Sequence, residues 1–403
     1  MHPRVFTDDL CGTLRPWLLD HLTSFWRKHA VDPGGGFFDG LDGANQPIPG
    51  VRTTLVQARL TYVFSHAAIL GDTASLAVAK HGFGFLTRAC RNPKTGGWYR
   101  SVNPDGSVAD PAMDAYDHAF VIFSMAWYFR ASADPVAVEL ANSTAMFMDT
   151  YLSDSLHGGF QEEYLPGQTE LKLPRRQNPH MHLLEAYLAM HEALFPDAGA
   201  TSIWLERAGR MVALFQRFFF DRTTGSLGEY FDEKFNPAPG KRGDLREPGH
   251  HFEWVWLLWR YYALTKDASV IEPAQRLYAF GAAHGVDTAG KAPGIAFDGV
   301  DREGHLVAAT KLLWPQTEYV KACTARWEWF GEEAALTEAA LVMRRIRSHF
   351  LRNDGASWHN QLSRDGAPMQ TTVPTRVLYH LFLGAAEMDR VMNLRPTRNH
   401  LTI

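Results

Sequence analysis

A Gly-rich turn followed by an apolar residue recurs six times along this 403-residue chain, so any fold it adopts has to accommodate six equivalent pieces. The mark reads Gly34-Gly35-Gly36-Phe37, Gly96-Gly97-Trp98 and Gly158-Gly159-Phe160 in its fullest form. Looser copies are Gly225-Ser226-Leu227, Pro293-Gly294-Ile295 and Gly355-Ala356-Ser357-Trp358. The apolar residues stand at 37, 98, 160, 227, 295 and 358, at intervals of 61 to 68 residues. A near-fixed period is the signature of a repeat architecture. Turns such as Asp42-Gly43, Asp105-Gly106, Glu303-Gly304 and Asp365-Gly366 often follow the mark.

Between the marks, apolar residues recur at helical spacing over 53–70, 117–130, 182–194, 251–264 and 375–389. Each interval has room for two helices, and the short segments after the glycines suit small hairpins. Two helices in each of six repeats make twelve. An open solenoid needs polar capping repeats at its ends, and neither end of this chain is distinctively polar. The expectation is an all-α (α/α)6 barrel: a toroid of twelve helices in two concentric rings, forming one domain over residues 1–403. Such a ring gathers helix N-termini and loops around a central funnel, a setting for a small ligand.

Composition removes several function classes. The formal net charge is −4, with charged residues at 21% and no basic patch, so there is no electrostatic footprint for nucleic acid. No apolar run reaches the roughly 20 residues that span a bilayer, and the first ten residues lack a secretory pattern. Cys11, Cys90 and Cys323 are scattered, which suits a reducing cytoplasm and offers neither a disulfide framework nor a zinc spacing. The 12 Trp, 13 Tyr and 25 Phe point to a large core or an aromatic-lined pocket.

The histidines carry the chemistry. In Arg176-Gln177-Asn178-Pro179-His180-Met181-His182-Leu183-Leu184-Glu185, Asn178 suits an N-cap and Pro179 the first helical position. Asn178, His182 and Glu185 then share one stripe, whereas His180 points elsewhere; a capped helix with a buried histidine explains the same spacing. Two imidazoles on different faces are a poor start for a metal ion. In Pro248-Gly249-His250-His251-Phe252-Glu253, His250 and Glu253 stand at i, i+3, as a base and its carboxylate or as a helix-dipole glutamate with a neighbour. His359 sits on the sixth mark, where it is either a turn residue or a reactive one. Trp314 and Glu318 lie one turn apart, as core or as sugar contacts, and Arg52 opens the first long helix as a surface charge or an electrophile.

The segments RQNPHMHLLEA (176–186), PGHHFEW (248–254), LWPQTE (313–318) and SWHNQL (357–362) resemble those of the N-acylglucosamine 2-epimerase superfamily. The resemblance covers most of the chain and implies the same (α/α)6 fold. It implies that Arg52 contacts sugar oxygens, that Asn178 and His182 form a pocket pair, and that Tyr116 lies nearby. By the same resemblance His250 with Glu253 is a catalytic base with its partner, and His359 is the second catalytic histidine. Trp314 and Glu318 take the stacking and hydroxyl-binding positions. Thr53-Thr54 after Arg52 departs from several relatives, which carry larger residues there.

The chemistry this implies is proton transfer on a small sugar, with no cofactor and no metal. Ring opening exposes an aldehyde, a base removes the C2 proton, and a cis-enediol forms whose oxygen charge needs a donor. Return of the proton to C1 gives a ketose, as in mannose to fructose; return to the other face of C2 gives the 2-epimer. The first is the expectation. Two other classes use the same frame: an inverting glycoside hydrolase, which needs two carboxyls about 6.5–9.5 Å apart, and a protein-binding module with a large exposed apolar patch.

Overall fold

The structure is a computed structural model that describes residues 12–167, 174–195 and 201–394. Cys11 and the opening ten residues lie outside the described residues. Twelve long helices alternate along the described chain. The odd-numbered ones are α1 (residues 14–29), α3 (73–90), α5 (135–152), α7 (203–219), α9 (Ile271–His284) and α11 (333–350). The even-numbered ones are α2 (Thr54–Ile69), α4 (Ala115–Ser132), α6 (Gln177–Leu194), α8 (Pro248–Thr265), α10 (Leu313–Phe330) and α12 (Leu378–Met392).

The even helices pack side by side in chain order, and α12 returns to α2 to close a ring. Each is backed by the odd helix that follows it, except α12, which is backed by α1. The first and last helices therefore complete one repeat together, and closure leaves no end repeat to cap. Inner helices are buried almost all round, as α4 shows with thirteen buried residues from Ala115 to Tyr128, because one flank meets the outer ring and the other the axis.

Closure is repeated at one mouth by five dipeptide pairings and one single bridge. The residues entering each inner helix pair antiparallel with residues just past the next mark: Arg52–Thr53 with Ser101–Val102, Met113–Asp114 with Glu163–Tyr164, Arg175–Arg176 with Tyr230–Phe231, and Lys311–Leu312 with Gln361–Leu362. Arg246 bridges Val300, and Val373–Pro374 returns to Gly40–Leu41. The small hairpins expected near the glycines are separate, as in Ser101–Val102 with Val108–Asp110 and Gly299–Val300 with Leu306–Ala308.

The marks owe their spacing to a hydrogen bond. The Phe37 N–H donates to Gln57 Oε1 at 2.7 Å, and those of Trp98, Phe160 and Leu227 donate to Nε2 of His118, His180 and His251 at 2.9–3.0 Å. In the fifth repeat the donor is Ala296, to Gln316 Oε1 at 2.7 Å, one residue later than the expected Ile295. Each histidine donates Nδ1–H to the carbonyl four residues earlier, at Asp114, Arg176 and Glu247, which leaves Nε2 as the acceptor. Burial pushes all three imidazoles down to about 4, so they stay neutral. The close approach also explains the glycines: a Cβ on Gly36 would lie 2.5 Å from Gln57 Oε1, and one on Gly159 2.6 Å from His180 Nε2.

His180 thus anchors its repeat rather than serving the axis. His180→Gln should unfold in urea near the wild-type midpoint, because glutamine does the same work at positions 57 and 316. His180→Ala strands the buried Phe160 N–H and should cost about 1–3 kcal/mol.

Candidate active site

Counting from the anchors places the functional side chains. Two residues beyond them, or beyond Leu378 twenty residues after Trp358, the inner helices carry Arg59, Phe120, His182, Glu253, Glu318 and His380. Two residues before them stand Leu55, Tyr116, Asn178, Gly249, Trp314 and Arg376. All of these but Phe120, Gly249 and Glu318 line, with His250, a cavity of about 290 Å³ at the helix N-terminal mouth. Glu229, Glu247 and Asn360 complete its wall. Asn178, His182 and Glu185 do share one stripe, although α6 begins at Gln177, one residue before the expected cap.

A larger cavity of about 580 Å³ opens at the other end of the ring. Its charges are largely spent on one another, Arg260 on Glu192, Arg390 on Glu328 and Glu387, and Arg15 on Asp389. The smaller cavity instead presents orphaned groups, among them the buried Asn178 Oδ1 and both Glu253 oxygens, which have no hydrogen-bond partner. Buried polar atoms of this kind are costly unless a ligand satisfies them. The chemistry therefore belongs to the smaller mouth.

Two of its histidines are held in opposite states. His250 Nδ1 lies 2.9 Å from Glu229 Oε2 and 3.5 Å from Glu247 Oε2. Burial opposes a charge there, but the two carboxylates prevail and hold the imidazole up at about 10. His380 Nδ1 donates to Glu318 Oε1 at 2.8 Å. Its burial, with Arg59 and Lys321 nearby, pushes it well below the usual histidine range. Trp314 spans the gap, its ring centroid 4.8 Å from that of His250 and 5.6 Å from that of His380. Gly249 makes the room, since a Cβ there would lie 2.5 Å from the Trp314 ring.

The remaining groups form the floor and one wall. His182 Nδ1 meets Glu185 Oε2 at 3.0 Å, and Tyr379 Oη donates to the same carboxylate at 2.5 Å. Burial keeps His182 down at about 4 and therefore neutral. Arg59 reaches over the Phe120 ring at 4.1 Å and donates to Tyr116 Oη at 2.7 Å and to the Arg376 carbonyl at 3.0 Å. Below them the fully buried Lys321 pairs with Glu318 at 2.5 Å and lies 3.9 Å from Glu253. Burial, reinforced by Glu318, pushes the Glu253 carboxyl well above the carboxylate range.

Tyr116, Asn178, His182, His250, Glu253 and Trp314 are thus brought together from the expected set. Three expectations are corrected. Arg52 does not line the cavity: it is two residues ahead of α2 in the mouth pairing, where Asp32 Oδ2 at 2.5 Å, the Gly50 carbonyl and the Phe38 ring hold it. Arg59 occupies the cavity instead. His359 does not line it either. It stands between Trp358, which is buried, and Asn360, which faces the cavity, and is itself partly exposed. His380 holds the second histidine position. Glu253 is not the partner of His250; Glu229 is. Glu318 acts one step back, behind His380. Arg59 and His380 were within reach of a helix-by-helix register, and Glu229 stands two residues past the donor Leu227, as Asp39, Glu162 and Asp298 do past the donors Phe37, Phe160 and Ala296.

A charged and a neutral imidazole thus flank one aromatic ring in a single cavity, with the Arg59 guanidinium on its wall. Residues 36–384 match the family model of N-acylglucosamine 2-epimerase, and the chain belongs to that family. It is 30% identical over 386 residues to a protein of Rhizobium meliloti (strain 1021) named mannose-6-phosphate isomerase, covering 94% of this chain and 96% of that one. It is 27% identical over 348 residues to a D-mannose isomerase of Thermobifida fusca, covering 82% of each. The cellobiose 2-epimerase of Spirochaeta thermophila DSM 6192 superposes with a TM-score of 0.83 at 25% identity, over 97% of this chain and 98% of that one. The protein is a sugar isomerase or epimerase on an (α/α)6 barrel. No helix among the described residues is long and apolar enough to cross a membrane.

Proposed function

We propose that the protein interconverts D-mannose and D-fructose by proton transfer alone, without metal or cofactor, in the cytoplasm. The observation that carries this is the pair His250 and His380, one charged and one neutral, in a single cavity. Two groups whose environments push their proton affinities apart divide into acid and base. After ring opening, neutral His380 takes the C2 proton while the His250 imidazolium gives a proton to O1, forming the enediol. The protonated His380 then delivers to C1, and His250 recovers a proton from O2, which leaves fructose and both histidines as they began. Arg59 stands by the developing oxygen charge, and a neutral Glu253 has a proton to donate to a hydroxyl. Trp314 offers a face for the sugar's C–H groups.

The carboxyls give a hydrolase little to work with, because Glu229 and Glu318 are tied to histidines. A 2-epimerase is the closer competitor, since a second imidazole stands across the cavity. Mannose deuterated at C2 should give fructose as the main early product with part of the label at C1, because a shielded imidazole exchanges incompletely with water. Glucose as the dominant early product, carrying solvent hydrogen at C2, overturns this in favour of epimerisation. Mannose 6-phosphate belongs in the same assay. Among the described residues the Arg376 guanidinium at the rim has no ion-pair partner, and it is the group a phosphate would meet.

A further inference from the structure

We propose that Glu229, Glu247 and Nδ1 of His250 form a binding site for a borderline divalent cation such as Zn²⁺, and that filling it switches the enzyme off. The three donor atoms lie within 4.8 Å of one another, with His250 Nδ1 at 2.9 Å from Glu229 and 3.5 Å from Glu247. Zinc bonds to nitrogen and oxygen are about 2.0–2.2 Å long. Tetrahedral ligands around such an ion stand roughly 3.3–3.5 Å apart, so carboxylate rotations suffice to close the site. One imidazole and two carboxylates suit Zn²⁺ better than Mg²⁺ or Ca²⁺, which take six or more oxygens. All three residues line the cavity, which leaves the fourth position open to it.

Two further clusters near the axis look similar and are not equivalent. His182 with Glu185 and Glu253, and Glu253 with Glu318 and His380, are buried in the floor of the cavity, with Glu185 and Glu318 behind its lining. Both sit against Lys321, whose ammonium lies 2.5 Å from Glu318 and 3.9 Å from Glu253 and would repel a cation. At the proposed site two guanidiniums act on the carboxylates, and both are engaged elsewhere: Arg176 with Glu162 at 2.6 Å, and Arg246 with Ser226 Oγ and the Gly243 and Leu245 carbonyls. The Glu247 side chain is 25% exposed, which gives an ion a way in. The exposed turn of Asp301, Glu303 and His305 lacks any enclosure.

The ion would take the place of the proton that His250 shares with Glu229. That proton leaves to solvent, the Nδ1 lone pair passes to the metal, and the imidazolium no longer exists. This consequence rests on the acid role proposed above; the binding does not. Calorimetric titration of ZnCl₂ into chelator-treated protein, in a buffer that does not bind metal, should show one tight equivalent. Glu247→Gln should weaken it about tenfold or more, with an unchanged circular dichroism spectrum. Glu253→Gln, which removes the member common to both floor clusters, should leave it intact, as should His305→Ala. Turnover of the wild type should fall along the same isotherm. Absence of tight binding, or its loss in Glu253→Gln or His305→Ala rather than Glu247→Gln, overturns the site. Binding at Glu247 with turnover unaffected overturns the switch. A protein that binds Zn²⁺ there but turns over no sugar under any condition leaves the site standing and removes the proposed function.

Discussion

His380→Ala should lower turnover of mannose by about 10²–10⁴-fold, the usual loss on removing a positioned acid or base, whereas His359→Ala should leave it close to wild type. The contrast follows from where each ring lies. His380 lines the cavity with Nδ1 committed to Glu318, so its Nε2 is the free lone pair. His359 is partly exposed and absent from the cavity lining, and its backbone N–H donates to Phe350 O at 2.8 Å. Steady-state kinetics on both variants, with circular dichroism to confirm the helical fold, decides the matter. Equal losses, or the larger loss at His359, would mean that the cavity described above is not the site.

The architecture was legible because it is written six times. Gly-aromatic marks at near-even spacing required six units, and helical periodicity between them required an all-α answer. The physical reason for the marks was not legible, since a hydrogen bond from a turn to a side chain twenty residues later has no local signal. That hidden bond divides neighbouring histidines between two jobs. His180 and His182 are two residues apart on one helix, yet one anchors the turn and the other faces the axis. His251 and His250 divide in the same way. Local motifs therefore found the segments that border the cavity and only some of the side chains that line it. Arg52 and His359 belong to segments that border the cavity, and a shift along the chain of a few residues changes which wall a side chain meets. Glu229 was out of reach for another reason. It arrives from the fourth mark, 21 residues before His250, and their pairing exists only once Arg175–Arg176 and Tyr230–Phe231 have joined neighbouring repeats.

That pairing makes Glu229 a positioning residue whose loss should have a pH signature. The Glu229 side chain accepts from Gln177 Nε2 at 2.9 Å and from the Glu247 N–H at 3.2 Å, and it is 3% exposed. Its charge is the largest single cause holding His250 up at about 10, against burial that pulls the other way. In the wild type, therefore, the acid form of His250 persists across the neutral range and is lost only as pH rises through about 10. Glu229→Gln keeps the shape and the Gln177 contact but removes the charge, so His250 should fall back toward the ordinary value near 6.5 or below it. The sign is definite: the variant's deficit grows with pH. At pH 8.5 a histidine near 6.5 is protonated in only about one molecule in a hundred, so kcat/KM should drop between about tenfold and about a hundredfold there. At pH 6 most of the acid form survives and the loss should be far smaller. A purely structural effect of the substitution would lower activity by the same factor at every pH. A flat deficit across pH 6 to 9 would show that the His250–Glu229 pair does not supply the acid.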